Sequence, residues 1–338
     1  MKIKKPITLR VNKKPITLRV NKIYHSIKLF ILMAFSFLLI TSCYQQFTQK
    51  PDITSAIPSE CRIVQHKLGE TCIPIKPQRI IALNSSAIPD SLLALGLKPI
   101  GITFVNHLGT KMFHGLSTDE IAGIELVGTN EQPSIEKILA LKPDLILSPE
   151  NNERIYKQLS AIAPTVILEG NELNFSIKEN FRTIAKILNR EEKAQQVLNQ
   201  YQKRVKALQK LLGERLKEIE ISFIVYNGGQ FYVPASSATF FQVLSDVGVK
   251  IKPILLEKNQ WLPISIEAIN KYDADILFIL NPDNKLPSYF LENPLISSLK
   301  SFKNQQTYIV DAVVWAPYGP LGMNKLLDEL PKYLLKGE

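Results

Sequence analysis

The chain has 338 residues and a formal net charge of +10, from 41 Lys and Arg side chains against 31 Asp and Glu. Nine of the cations and none of the acidic residues precede Cys43, so the rest of the chain carries 32 cations against 31 anions. This near balance excludes the basic surface with which a protein binds nucleic acid. The remaining length of about 295 residues is enough for two domains with hydrophobic cores of their own.

The first 42 residues have the pattern of a bacterial signal peptide. A basic region runs to Lys28, and the apolar stretch from Leu29 to Ile40 has only 12 residues, whereas a membrane span needs about 20. The small residues before Cys43 resemble a lipobox, in which the cysteine is acylated and becomes the new N-terminus. We predict a signal peptide over residues 1–42, a lipid on Cys43 and a polar tether over residues 43–60. A signal peptide with an incidental cysteine is the alternative.

Two further cysteines, Cys61 and Cys72, would lie in a compartment in which disulfides persist. The segment between them is predicted to form a hairpin around Leu68 and Gly69. Cysteines that face each other directly would require the turn at His66 and Lys67, whereas Gly69 favours a shifted register. A disulfide and a pair of free buried thiols therefore both remain open from the sequence.

Strands and helices alternate over residues 79–168. The apolar runs predict four strands, at Arg79–Leu83, Pro99–Thr103, Leu145–Ser148 and Thr165–Leu168. Between them the spacing predicts a helix that contains Leu92, a helix over Ser134–Leu141 and a helix that runs through Leu159. Ser86 is the expected cap of the first helix, and Gly96 is its expected end. Such alternation is typical of βαβ units and a mostly parallel sheet.

A helical stretch then interrupts the alternation. Helices are predicted over Phe175–Leu188 and Glu191–Lys217, the second extending for up to about 25 residues and nearly 40 Å. The alternation resumes with strands at Ile221–Tyr226, Ile276–Leu280 and Thr307–Val310 and helices at Thr239–Val247, Ile264–Lys271 and Leu321–Leu335. We therefore predict an N-terminal α/β lobe over residues 61–172, a bridging helix region over 173–218 and a C-terminal α/β lobe over 219–338.

A short segment occurs once in each predicted lobe. Ser134-Ile135-Glu136 precedes the strand that starts after Asp144, and Ser265-Ile266-Glu267 precedes the strand that starts after Asp275. In each copy a serine is expected to cap a helix and a glutamate to lie in its first turn. The helix dipole alone favours a glutamate there, by about 0.3–1 kcal/mol, so residue type by itself assigns no function to either glutamate.

The stretch VGTNEQPSIEKILALKPDLILSPENN (residues 127–152), the bridging helix and GPLGMNKLLDEL (residues 319–330) resemble the iron-siderophore and cobalamin class of ABC-importer solute-binding proteins. The resemblance covers residues 62–335. It implies the class III periplasmic binding protein fold, in which two Rossmann-like α/β lobes with mostly parallel sheets are joined by one long bridging helix. It also implies a ligand in the interlobe cleft and a membrane permease that receives it, with Glu136 and Glu267 as the glutamates that dock onto the permease.

On this resemblance we expect a lipoprotein of the periplasm, held to the inner membrane, that captures a ferric siderophore. The iron would arrive within the chelate, so no cofactor and no metal-ligating side chains are expected. The ligand site should lie where the strands end at the cleft, and aromatic walls with a few amide or cationic donors would suit it. The candidate pocket residues are Asn84, Ser85, Asn151, Arg154, Tyr226, Tyr232, Trp261, Trp315 and Tyr318.

The chain differs from the family pattern at one position that bears on the charge of the ligand. Hydroxamate-binding members often have an arginine just before the segment that corresponds to QPSIE, where its guanidinium can grip chelate oxygens. This chain has Thr129 and Asn130 there. The other cations near the first-lobe site are few, namely Lys111 in a loop and Arg154. A strongly anionic ligand such as ferric dicitrate and a neutral or weakly charged chelate both remain open.

The sequence lacks the residue patterns that metal binding and catalysis would need. His66, His107 and His114 are not at helical metal-ligand spacing, and His107 and His114 are expected to be solvated loop histidines at the edge of the cleft. Capture of haem or cobalamin, with one of them as a ligand, is the alternative within the binding class. The sequence contains no nucleophile elbow, phosphate-binding loop or dinucleotide fingerprint. We therefore expect no enzyme activity, a chelate-processing metallo-enzyme being the alternative of another class.

Overall fold

The computed structural model describes residues 61–169 and 176–335. The predicted signal peptide, the lipid on Cys43 and the tether over residues 43–60 lie outside these ranges. None of the helices in the described ranges is both long enough and apolar enough to span a membrane. The described chain forms two α/β lobes, in agreement with the predicted architecture.

The first lobe begins with a hairpin of β1 (Cys61–His66) and β2 (Gly69–Pro74). His66 pairs with Gly69, so the turn consists of Lys67 and Leu68, and Cys61 is opposite Pro74 rather than Cys72. The two cysteines are nevertheless joined by a disulfide, with their Cα atoms 5.6 Å apart. The register is thus shifted, as Gly69 indicates, and the bond runs diagonally across the hairpin.

The sheet of the first lobe has six strands. These are β3 (Ile80–Ala82), β4 (Gly101–His107), β5 (Thr110–Met112), β6 (Glu125–Thr129), β7 (Leu145–Pro149) and β8 (Thr165–Leu168). Their order is β5-β4-β3-β7-β8, with β6 paired to β4, and all pairs are parallel except β4 with β5. The central strands are buried on both faces, as parallel sheets require.

Short helices connect the strands of this lobe. They are α1 (Ala87–Ala94), α2 (Thr118–Ile121), α3 (Ile135–Ala140), a 3-10 helix (Glu150–Ile155) and α4 (Tyr156–Ser160). The prediction that Ser86 caps α1 is wrong, because its hydroxyl makes no cap bond. Instead, Asn84 Oδ1 accepts hydrogen bonds from the backbone N–H groups of Ser86 and Ile88. An asparagine three residues before the first helical residue therefore satisfies one backbone donor just before the helix and one in its first turn.

Two helices connect the lobes, α5 (Ile177–Ile187) and α6 (Glu191–Leu212). The first half of α6 packs into the core of the first lobe through Ala194 and Leu198, and the second half packs into the core of the second lobe through Tyr201 and Val205. At 1.5 Å per residue, α6 is about 33 Å long. It ends earlier than predicted, because Gly213 has a φ of +53° and a separate turn of helix, α7 (Arg215–Glu218), follows.

The second lobe has a sheet of six strands. These are β9 (Glu220–Asn227), β10 (Gln230–Val233), β11 (Lys250–Ile251), β12 (Leu262–Ile264), β13 (Ile276–Leu280) and β14 (Thr307–Val310), in the order β12-β10-β9-β13-β14 with β11 paired to β9. The pairs β9–β10 and β10–β12 are antiparallel and the others are parallel. The helices are α8 (Thr239–Val247), α9 (Pro253–Leu256), a 3-10 helix (Ile266–Tyr272), α10 (Pro287–Leu291), α11 (Pro294–Ser297), α12 (Lys300–Lys303), α13 (Ala312–Trp315) and α14 (Pro320–Leu334).

The last helix brings the chain back to the first lobe. The carboxylate of Asp90, in α1, accepts hydrogen bonds from the backbone N–H groups of Leu321 (2.8 Å) and Gly322 (2.9 Å) in the first turn of α14. Asp90 is fully buried, and a Cβ atom on Gly319 would lie 2.3 Å from its carboxyl carbon. The absence of a side chain at Gly319 therefore lets the two lobes approach each other at this point.

The segment repeated in sequence is also repeated in structure, with one difference. Asp144 accepts from the backbone N–H groups of Gln78 and Arg79, and Asp275 accepts from that of Glu220, so each holds the chain where a neighbouring strand begins. Ser134 caps α3 by accepting from Lys137 N–H. Ser265 makes no such cap bond, and a 3-10 helix follows it instead of the predicted α-helix.

Candidate functional site

A cavity of about 500 Å³ lies between the two lobes, at the ends of their strands. The first lobe contributes Val105, His107, Met112 and His114 to its wall, and the second lobe contributes the remaining lining residues. Cavities of about 300–1,000 Å³ are the size that drug-sized ligands occupy. The position agrees with the expectation that the site lies in the cleft at the carboxyl ends of the strands.

The first-lobe wall is the β4–β5 hairpin and the loop that follows it. β4 extends to His107, beyond the predicted end at Thr103, because β5 pairs with it through a turn of Leu108 and Gly109. Both turn residues have positive φ, 49° and 84°, which is the conformation of a tight two-residue hairpin turn. Alternation along β4 then directs Val105 and His107 to the same face, towards the cavity.

The second-lobe wall is rich in aromatic and small side chains. Tyr232 lies on β10, Trp261 lies just before β12, and Tyr318 lies just before α14; Trp261 is 39% exposed. Thr239 and Phe240 come from the start of α8. Side chains that can donate or accept hydrogen bonds are interspersed among apolar ones, which is the arrangement that orients a bulky ligand in a pocket.

A hydrogen bond connects the two lobes at the rim of the cavity. His107 Nε2 lies 2.8 Å from Asp283 Oδ1 and donates to it. The same carboxylate accepts from the backbone N–H groups of Gly228 (2.9 Å) and Gly229 (3.0 Å) in the β9–β10 turn. Burial alone would raise the pKa of Asp283, but these backbone groups and His107 outweigh it and lower that pKa. Asp283 is therefore an ionised carboxylate at neutral pH.

His114 is the second imidazole of the cavity. Its ring lies 5.6 Å from that of Tyr318, measured between centroids. Burial lowers the pKa of His114, and the nearby His107 lowers it further, so His114 is neutral at pH 7. The expectation that His107 and His114 are solvated loop histidines is wrong, because one spans the cleft and the other packs against an aromatic wall.

Three of the residues predicted for the pocket line this cavity, namely Tyr232, Trp261 and Tyr318. Two other aromatic candidates do not. Tyr226 lies between Val225 and Asn227, which both line the cavity, so strand alternation turns its ring to the opposite face. There it is buried against Phe231 and Phe290, and its hydroxyl lies 2.7 Å from that of Tyr289.

Trp315 belongs to the core of the second lobe. It is 1% exposed, and its ring centroid lies 4.4 Å from that of Phe278. Ala312 and Ala316, about one helical turn apart, face the cavity in its place. The prediction that Trp315 lines the pocket is therefore corrected: its indole stabilises the wall from behind.

The first-lobe candidates also lie away from the cavity. Asn84 and Ser85 are buried; Asn84 holds the start of α1, as described above, and Ser85 Oγ accepts a hydrogen bond from Asn130 Nδ2 at 2.9 Å. Asn151 and Arg154 lie exposed on the 3-10 helix after β7. None of these four residues is among those that line the cavity.

Several lining residues were missed from the sequence. Asn227 lies at the end of β9, Ser237 precedes α8, and Met112 ends β5. The sequence contained a signal for Asn227, which is the polar residue that directly follows the predicted strand Ile221–Tyr226. In residues 61–169 and 176–335 no group of three or more His, Cys, Asp or Glu side chains is placed to hold a metal ion.

Two lobes joined by one long helix, with a cavity between them, define a solute-binding protein. The chain belongs to the periplasmic binding protein family, whose model matches residues 81–314. It is 32% identical over 295 residues to the probable siderophore-binding lipoprotein YfiY of Bacillus subtilis, covering 82% of this chain and 89% of the relative. It is 31% identical over 263 residues to the Fe(3+)-citrate-binding protein YfmC of the same organism, covering 77% and 81%.

A solved structure supports the same assignment. The crystal structure of Staphylococcus aureus SirA complexed with staphyloferrin B matches with a TM-score of 0.65 and 25% sequence identity, covering 81% of this chain and 98% of that one. The names of these proteins share an iron chelate as the ligand class and differ in the particular chelate. The ligand of this chain must therefore be inferred from its own cavity.

Proposed function

We propose that this chain is the substrate-binding protein of an ABC importer and that it captures a ferric siderophore in the interlobe cavity for delivery to a membrane permease. One observation carries the proposal: the cavity offers aromatic rings, hydroxyl groups and an amide to a ligand, and among the described residues no three-ligand metal group. Such a wall fits a chelate whose iron is already coordinated. The proposed role is capture and delivery, without chemical conversion of the chelate.

The long bridging helix suggests how capture proceeds. Because α6 packs into both cores, it resists bending more than a loop hinge would, and we expect closure of small amplitude. A largely preformed pocket follows, in which the ligand is bound by the two walls with little rearrangement. The hydrogen bond between His107 and Asp283 closes one side of it.

Fluorescence titration of the mature protein tests the proposal, because the two tryptophans differ in position. Ferric hydroxamates, ferric catecholates, ferric citrate, cobalamin and haem would each be added to residues 44–338. We expect saturable quenching by a ferric chelate, which Trp261→Phe removes and Trp315→Phe, the matched control in the core, retains. If none of these compounds binds while the protein still melts cooperatively, the proposal fails.

Capture of haem is the second candidate, because two imidazoles line the cavity. His114 is held neutral by its surroundings, and a neutral imidazole is the form that ligates iron. Absorption spectroscopy separates the candidates: a Soret shift that is lost in His114→Ala favours haem, whereas binding of a fully coordinated ferric chelate without such a shift favours the siderophore.

Delivery would use the repeated glutamates. Glu136 and Glu267 are both exposed in the first turns of short helices, one on each lobe, and we propose that they dock onto arginines of the permease. Exposed ion pairs are individually weak, so docking would mainly set register and encounter rate. In vesicles that contain the permease, Glu136→Ala with Glu267→Ala should reduce chelate uptake while chelate binding is unchanged, and the exposed Glu257→Ala should change neither. Uptake that the double variant leaves intact would refute this role.

Membrane attachment is proposed through a lipid on Cys43, with the inner membrane as the location because the permease lies there. The support is the sequence pattern before Cys43. Cys43→Ser should release the protein from the membrane fraction of cells that express the full chain, and mass spectrometry of the native protein should find a diacylated N-terminal cysteine. Retention of Cys43→Ser in the membrane fraction would contradict the proposal.

A further inference from the structure

We propose that the cavity selects ferric chelates that are neutral or carry one positive charge and discriminates against anionic chelates, most strongly against polyanions. This inference rests on the proposed function and specifies its substrate class. It is carried by the charges of the cavity wall and of the groups just behind it.

The wall itself contains no formal cation. Among the described residues that line the cavity there is no lysine or arginine, and no aspartate or glutamate either. Its polar groups are hydroxyls, the amide of Asn227, the indole of Trp261 and the two imidazoles. The sequence of residues 170–175 also contains no lysine or arginine. A polyanion in this cavity would thus give up water without gaining a counter-charge, which is costly where water is partly excluded.

The two imidazoles do not supply that counter-charge. A proton on His107 would be compensated by the ionised Asp283 2.8 Å away, a carboxylate that is itself buried. His114 is neutral because it is buried next to Tyr318. The summed formal charge of His107, Asp283 and His114 is therefore zero or negative.

Two lysines that line a neighbouring cavity are engaged there. Lys111 lines a neighbouring cavity of about 360 Å³, and its Nζ lies 5.3 Å from the centre of the Phe104 ring. Lys325 borders that second cavity too, where it donates to the backbone oxygen of Gly115 and pairs with Glu120. Neither lysine is among the residues that line the first cavity.

The first-lobe residue Asn130, which precedes the segment QPSIE, is also neutral. Asn130 Oδ1 accepts from Thr103 Oγ1 at 2.7 Å, and its Nδ2 donates to Ser85 Oγ at 2.9 Å. These bonds tie the ends of three first-lobe segments together. An amide that is used in this way holds the scaffold and leaves the wall without a positive charge.

The main series of the test keeps the ferrioxamine core constant and changes only its charge, and two chelates with other cores extend the comparison. Calorimetric titrations would compare ferrioxamine B (one positive charge), its N-acetyl derivative (neutral) and its N-succinyl derivative (one negative charge), with ferrichrome as a second neutral chelate and ferric enterobactin as a trianion. We expect the neutral and positive complexes to bind best, the succinyl derivative several-fold more weakly, and the trianion at least 100-fold more weakly. Equal or tighter binding of the anions overturns the inference and leaves the proposed function intact.

A variant with an added cation tests whether the lack of positive charge in the wall causes the selectivity. Ser237→Lys places a cation in the wall and should reduce or reverse the difference in affinity between the acetyl and succinyl derivatives. Ser160→Lys is the matched control, because Ser160 is exposed at the end of α4, away from the cavity. It should leave the difference in affinity unchanged. An equal reduction of this difference in both variants would overturn the inference, because the net charge of the protein would then explain the selectivity without the cavity wall. If no chelate of any charge binds to the folded protein, the proposed function itself fails.

Discussion

At the edge where its strands begin, each lobe uses the same arrangement of an aspartate and a backbone segment, whereas the hairpins that the two lobes present to the cleft carry different side chains. Asp144 and Asp275 both accept backbone N–H groups from the segment that enters a neighbouring parallel strand. At the opposite edge, the first lobe presents the β4–β5 hairpin with His107, and the second lobe presents an aromatic wall with Tyr232 and Trp261. The strand-start edges support the fold, and the cavity lies between two surfaces with different side chains.

This difference shows where selection of a ligand can change without loss of the fold. The aspartates at the strand starts serve backbone groups that every α/β lobe must satisfy. The cleft edges carry side chains that follow the last buried residue of a strand, as Asn227 does. We expect changes there to alter ligand recognition with a small effect on stability, and changes at the strand starts to do the reverse.

The largest effect is expected where the lobes meet. Gly319→Ala would place a Cβ atom 2.3 Å from the carboxyl carbon of Asp90, and because the backbone of Gly319 is extended, the cost comes from crowding and not from φ. We expect a loss of about 3 kcal/mol in the free energy of unfolding, measured by urea denaturation with tryptophan fluorescence.

A second substitution identifies the cause of that loss. Asp90→Gly removes the crowding atoms but also the two hydrogen bonds to α14, so it should destabilise the protein by itself. In the double variant the Gly319→Ala substitution should then add little. If the two losses add in full, the contact between Gly319 and Asp90 is not what limits the approach of the lobes.

The two repeated aspartates should differ in their effects. Asp144 accepts from two backbone N–H groups, at 2.7 and 2.9 Å, whereas Asp275 accepts from one and from the exposed Lys300 ammonium. Exposed ion pairs contribute little. We expect Asp144→Ala to cost about 2 kcal/mol and Asp275→Ala about 1 kcal/mol, again from urea denaturation. A larger loss for Asp275→Ala would contradict the equivalence of the backbone bonds.

The Asp275 contribution should also depend on pH. The backbone N–H of Glu220 lowers the pKa of Asp275 from its ordinary value of 3.8, and the Lys300 ammonium adds to this. A lowered pKa means that the contribution is complete above about pH 4 and is lost as the pH falls through the folded-state value. The difference in stability between the wild-type protein and Asp275→Asn should therefore shrink below that pH, and a constant difference would argue against the assignment.

The scaffold could be predicted from the sequence because its signals are local. Short apolar runs gave Thr165–Leu168 and Ile276–Leu280 with the bounds that the structure shows, and Gly69 indicated the shifted hairpin register. The end of α6 was misplaced, although Gly213 marks it. Helical spacing continued past that residue, and the pattern of apolar positions does not report a positive φ.

The site was harder to predict because it depends on which way a side chain turns. Tyr226 and Asn227 are neighbours on β9, yet only Asn227 reaches the cavity. Trp315 and Trp261 are alike in residue type and in their proline- or glycine-containing surroundings. Trp315 packs against Phe278 in the core, whereas Trp261 is exposed in the cavity wall. No local sequence pattern encodes the contact between Phe278 and Trp315.

A small effect, similar to that of Asp275→Ala, is expected at the hydrogen bond that spans the cleft. His107→Ala removes one donor from Asp283, whose carboxylate keeps the backbone N–H groups of Gly228 and Gly229, so we expect a cost of about 1 kcal/mol. The closed form would lose that amount relative to the open one, so we expect the bound ferric chelate to dissociate about fivefold faster, as measured by stopped-flow fluorescence of Trp261.

A double-mutant cycle separates this bond from direct contact between His107 and the ligand. Asp283 is not among the described residues that line the cavity, so Asp283→Asn should accelerate dissociation by weakening the bond to His107 and not by removing a ligand contact; the amide oxygen of Asn can still accept from Gly228 and Gly229 in the turn. If the bond holds the lobes together, the double variant His107→Ala with Asp283→Asn should dissociate no faster than His107→Ala alone. If instead Asp283→Asn has no effect while His107→Ala retains its own, His107 acts as a ligand contact, and the first lobe then provides a binding surface without a link to the second.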